Sequence, residues 1–175
     1  MAGPTEERPG PVRAAARPLV VGLGHPARHD DALGLEVVER LRPRLGPSAE
    51  ALPCASDGTE LLDLWEGREL VVVVDAVRSG GTPGTVHRLE VADLPVPSPF
   101  RGSSTHGLSI ADVIALGRSL DRLPRRLVVY GVEGERFDPG VGFSDRVLPA
   151  IHSVTERILA EIHGPAPVGE DGSHA

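Results

Sequence analysis

Short apolar runs, each followed by a stretch with helical spacing, organise the middle of this chain. Pro18 to Leu23 is apolar and ends in glycine, and Asp31 to Arg44 then places Leu33, Val37, Val38 and Leu41 on one helical face. Ala49 to Ser56 reads as a weaker strand. Thr59 to Trp65 has the leucine spacing of a short helix, with Asp57 or Thr59 available as its N-cap. Leu70 to Ala76 contains the unbroken run Val71 to Val74, the pattern of a central strand covered on both faces. After the turn signal Ser79-Gly80-Gly81-Thr82-Pro83-Gly84, Thr85 to Glu90 alternates Val86 and Leu89 with polar residues, as an antiparallel edge strand does. A proline-rich loop from Leu94 to Ser104 leads to a helix from about Leu108 to Leu120. A strand over Leu127 to Val132 and a helix over about Ser144 to Ile162 complete the pattern.

Strands alternating with helices predict an α/β sandwich with helices on both faces of a sheet that is parallel except for the strand after Gly84. Sites in such sheets lie beyond the C-terminal strand ends. Three loops there carry polar candidates: Asp30-Asp31 after the first strand, Asp75 after the valine run, and His106 before a helix.

Composition narrows the function. At 175 residues the chain is read as one domain over 18–163 with flexible tails over 1–17 and 164–175. Eighteen Lys and Arg against 25 Asp and Glu leave a net charge of −7, which opposes nucleic-acid binding. Cys54 is the single cysteine, so an internal disulfide or a cysteine-only metal site is excluded, and a buried thiol is expected. No export signal is visible and no apolar run approaches the roughly 20 residues of a membrane-spanning helix, so a cytoplasmic location is expected.

Asp75 is the most informative residue, because a carboxylate at the end of a buried strand is costly unless it is paired, hydrogen-bonded or bound to a cation. Asp31, Asp75 and His106 together offer two oxygens and a nitrogen, a set that leaves open positions on nickel or zinc for water or substrate. Each has a structural alternative: Asp30 or Asp31 as a helix cap, Asp75 held by backbone N–H groups, His106 as a helix-entry residue. Arg78 either positions a substrate carboxylate, balances the acidic cluster, or makes a surface ion pair. His25 and His29 are near enough to support the site, whereas His87 and His152 are expected to face solvent, and Trp65, Phe137 and Phe143 to pack. Gly22, Gly24 and Ala27 have the spacing of a dinucleotide fingerprint, but Pro26 interrupts it and Asp30-Asp31 would repel a pyrophosphate.

Val20-Val21-Gly22-Leu23-Gly24-His25-Pro26-Ala27-Arg28-His29-Asp30-Asp31-Ala32-Leu33-Gly34 resembles the opening motif of the hydrogenase maturation proteases. Val74-Asp75-Ala76-Val77-Arg78-Ser79-Gly80, Pro83-Gly84-Thr85, Ser104-Thr105-His106-Gly107-Leu108 and Val129-Tyr130-Gly131-Val132-Glu133-Gly134 follow in the family's order, covering roughly Leu19 to Ala160. The resemblance implies a three-layer α/β/α sandwich, phosphorylase/hydrolase-like, around a mixed, mostly parallel five-stranded sheet. It implies an endopeptidase that trims the C-terminal extension of a nickel-loaded hydrogenase large-subunit precursor. Nickel is then supplied by the substrate and contacted by Asp31, Asp75 and His106, and no organic cofactor is expected. The chain departs from the family in having His25 where Asn is usual, so that His25 either joins the metal site or replaces the Asn hydrogen bonds, and in a glycine-rich tip reduced to Asp57-Gly58-Thr59. A noncatalytic chaperone of the nickel-loaded subunit and a peptidyl-tRNA hydrolase are the competing readings, the second opposed by the acidic charge.

Overall fold

The computed structural model describes residues 17–55, 59–91, 95–101 and 108–164. Nearly all of the expected tails, Asp57 with Gly58, and His106 lie outside these residues. Five strands form one sheet: β1 (Leu19–Leu23), β2 (Glu50–Cys54), β3 (Leu70–Val77), β4 (Val86–Val91) and β5 (Arg126–Glu133), in the order β2-β1-β3-β5-β4. Every neighbouring pair is parallel except β4 against β5, as the alternating pattern after Gly84 predicts. The turn into β4 has the chemistry its sequence calls for. Thr85 N–H closes on the Thr82 carbonyl at 3.1 Å, with Pro83 fixing the first corner and Gly84 at φ +85° supplying the second.

The valine run divides its side chains between two cores. Val72 and Val74 join Val20, Val128 and Tyr130 beneath α1 (Leu33–Leu45) and α4 (Leu148–His163). Val71 and Val73 join Leu19, Val21 and Val129 on the opposite face, beneath α2 (Leu61–Trp65) and α3 (Ile110–Ser119). Burial on both faces is why the run needs no polar alternation, and helices on both faces make a three-layer sandwich. Ser109 starts α3 through a capping box, its hydroxyl accepting from Asp112 N–H while the Asp112 carboxylate accepts from Ser109 N–H.

The helices start a few residues later than expected, and two of the starts have a clear cause. α4 begins at Leu148 rather than Ser144, because Pro149, with no N–H to give, belongs in a first turn and Ser144 is engaged elsewhere. α1 begins at Leu33, and Asp31 stands before it in a 3₁₀ turn, His29–Ala32. Among the described residues no helix is long and apolar enough to cross a membrane.

Candidate active site

Glycines set how closely the first helix approaches the sheet. A Cβ at Gly22 would collide with the Gly34 carbonyl, and one at Gly34 with the carbonyls of Leu23 and Val74, so α1 rests backbone to backbone on β1 and β3. Gly24, at φ +139°, is pressed against the Asp31 carbonyl. The glycine spacing that mimics a nucleotide fingerprint is thus a packing pattern that folds the 29–32 turn over the end of β1. In that turn His25 N–H donates to Asp31 Oδ2 at 3.1 Å, and Asp31 is 4% exposed. The His25 ring turns back on its own loop: Nδ1 accepts from Ala27 N–H at 3.2 Å, the local bond an Asn side chain makes in such turns.

Asp30 caps no helix. Wholly buried, it accepts from the N–H groups of Glu135 (2.9 Å), Arg136 (2.8 Å) and Ser144 (2.7 Å) and from the Ser144 hydroxyl (2.8 Å). Burial favours its neutral form, but those donors outweigh it and hold the carboxyl below its ordinary range. It locks the 29–32 turn to the loop between β5 and α4. His29 adds to the lock at φ +49°, its Nδ1 3.3 Å from the Gly142 carbonyl and its N–H bonded to Gly140 O at 3.1 Å.

Asp75 occupies the opposite electrostatic situation. It continues the parity of Val71 and Val73, placing it on the α2/α3 face, with Gly131 as its partner in β5. Burial, then the negative charge of Asp31, push its carboxyl up to about 7, against a smaller opposing effect from Ala76 N–H. Asp31 and Asp75, 44 positions apart in sequence, therefore form one coupled pair at the C-terminal end of the sheet. Among the described residues no set of three His, Cys, Asp or Glu side chains is arranged to hold a metal ion; His106, the third predicted member, is outside them.

The chain matches the model of a family described as hydrogenase maturation protease over residues 35–161. It is 33% identical over 150 residues to the hydrogenase 2 maturation protease of Escherichia coli, covering 83% of this chain and 90% of that protein. The solved hydrogenase maturating endopeptidase HybD from E. coli superposes with a TM-score of 0.70 at 31% identity, over 83% of this chain and 91% of that one. A [NiFe] hydrogenase maturation protease HycI from Thermococcus kodakarensis gives 0.62 at 26% identity, over 84% and 92%. The chain belongs to the hydrogenase maturation protease family. The matched span of the maturation protease model takes in Asp75 and His106 and starts just after Asp31. What this maturation protease holds in its described residues is a pair of aspartates in which the charge of Asp31 adds to burial in raising the Asp75 carboxyl.

Other candidates fall on either side of expectation. Trp65 and Phe137 are buried, Phe143 packs against the α1/α4 core, Cys54 is a buried thiol, and His152 is largely exposed. His87 is half-buried rather than turned out to solvent: its Nε2 lies 3.2 Å from Glu133 Oε1 and its ring stands edge-on to Phe100, centroids 6.3 Å apart. Glu133, 1% exposed, also accepts from the N–H and hydroxyl of Ser79, fastening the β3–β4 loop beside the site. Its signal is the one read at Asp75, a carboxylate ending a buried strand.

Proposed function

We propose that this maturation protease removes the C-terminal extension of a nickel-loaded hydrogenase large-subunit precursor, with Asp31, Asp75 and His106 meeting the metal and carrying hydrolysis. The coupled Asp31–Asp75 pair supports this most directly. Asp31, which is buried, and Asp75, which is half-buried, repel each other until a proton or a cation comes between them, so a precursor carrying nickel is bound more favourably than an empty one. Nickel is substrate here, and its arrival expels the proton that Asp75 holds near pH 7. With nickel in place, a carboxylate oxygen of Asp31 or Asp75 that the metal leaves free serves as general base: it accepts a proton from the attacking water as it adds to the scissile carbonyl, and returns it to the departing amine.

The deciding experiment incubates the protein with nickel-loaded and nickel-free precursor and follows the C-terminal mass, alongside Asp31→Ala, Asp75→Ala and His106→Ala. Cleavage of the loaded precursor alone, lost in all three variants, is the expected result. An uncleaved loaded precursor would sink the function, and wild-type rates in the variants would remove the site.

A further inference from the structure

Phe137, 5% exposed, is gripped by two arginines from different parts of the chain. Arg28 donates its Nε–H to the Phe137 carbonyl at 3.2 Å, and the Arg78 guanidinium lies 4.4 Å above the Phe137 ring. Most other arginines of the described structure find carboxylates: Arg40 pairs with Glu36, Arg44 with Glu156, and Arg126 with Glu90 and Glu161. Even the loop that carries Phe137 spends its acids on other arginines, Asp138 on Arg136 and Glu135 on Arg146. Among the described residues no carboxylate pairs with Arg28 or Arg78. Both arginines also lie three positions from a member of the acidic pair, Arg28 before Asp31 and Arg78 after Asp75. Three residues of chain reach at most about 10 Å, so the backbone of each arginine lies close to one member of the acidic pair, and the shared contact with Phe137 brings the two arginines together.

We propose that Arg28 and Arg78 form a clamp for a carboxylate on the polypeptide segment being removed, an inference that rests on the proposed peptide cleavage. A chain with net charge −7 and two aspartates at its centre repels an acidic peptide, and two cations close by reverse that locally. Stacking on a ring leaves the in-plane N–H groups of Arg78 free for a bidentate bond to carboxylate and fixes the side chain before substrate arrives. The carboxylate is either the C-terminal one or an acidic side chain of the extension.

Arg78→Met, Arg78→Lys and Arg28→Met are compared with wild type on nickel-loaded precursor over a range of salt concentrations. Arg78→Met is expected to raise KM about tenfold with kcat within about twofold, and to flatten the dependence of KM on salt. Arg78→Lys keeps the charge but not the planar fork, and falls between. Precursors with an amidated C-terminus, or with the acidic side chains of the extension neutralised, identify the source: the relevant change closes the gap between wild type and Arg78→Met. Unchanged KM in both Met variants while wild type cleaves, or a gap that neither altered precursor narrows, overturns the clamp alone. A loss confined to kcat also overturns it, whereas failure of wild type to cleave overturns the functional reading and the clamp with it.

Discussion

Asp30 and Asp31 are neighbours in sequence and opposites in physics. Asp30 turns inward onto three backbone N–H groups and a hydroxyl, so its charge is solvated by the protein and its carboxyl sits below the ordinary range. Asp31 accepts from His25 N–H instead, and its negative charge helps lift the Asp75 carboxyl to about 7. The first region stores stability, because the donors it satisfies would otherwise be buried unpaired. The second stores strain between like charges, which is useful only when something arrives to relieve it. A carboxylate's role at a strand end is thus set by what faces it, and one residue along the chain is enough to change that.

The largest expected effect separates the two by activity. Asp75→Ala should lower cleavage of nickel-loaded precursor by about a thousandfold or more while leaving the fold intact, measured by single-turnover cleavage beside thermal unfolding. Asp30→Ala should do the reverse, destabilising by about 3–4 kcal/mol in urea unfolding through the donors left unpaired, with activity per folded molecule largely kept.

A smaller effect sharpens the contrast through pH. With its folded pKa raised from 3.8 to about 7, Asp75 makes the folded state bind more protons than the unfolded state between those values, so it lowers stability as pH rises through that window. Asp75→Asn should therefore be more stable than wild type by about 1–2 kcal/mol at pH 8, and the gap should close below pH 4. Asp30 acts with the opposite sign: its lowered pKa gives stability that is present above its ordinary pKa and lost as pH falls through the folded value. The smallest effect concerns how Asp31 is held. His25→Asn should change stability by less than about 0.5 kcal/mol, since Asp31 is bonded by the residue's backbone N–H and an Asn side chain can accept from Ala27 N–H as the ring does.

Much of the fold was legible because its signals are local. The valine run, the Thr82-Pro83-Gly84-Thr85 turn and the alternation in Val86–Val91 each specify an element through period and backbone preference, and neighbouring-strand rules then limit the topology. Asp75 stood out for the same reason, a charge at the end of an apolar run. Glu133 carried a comparable signal, but its partners Ser79 and His87 lie 54 and 46 positions away. No local pattern shows that His87 turns inward to meet it. Asp30 misled for a related reason: Asp before a helix ordinarily caps it, and only the return of the 135–144 loop supplies better donors.

By itself, then, the sequence determined the alternation of strands and helices, the antiparallel edge and the turn chemistry, and it nominated Asp31, Asp75 and His106 as candidates from spacing and residue type. Tertiary structure decided which neighbouring aspartate's charge acts on Asp75, which glycines are packing surfaces, and that Arg28 and Arg78 meet Phe137 rather than a carboxylate. These are outcomes of long-range proximity, where a group's free energy depends on the charges and donors that folding brings within a few ångströms.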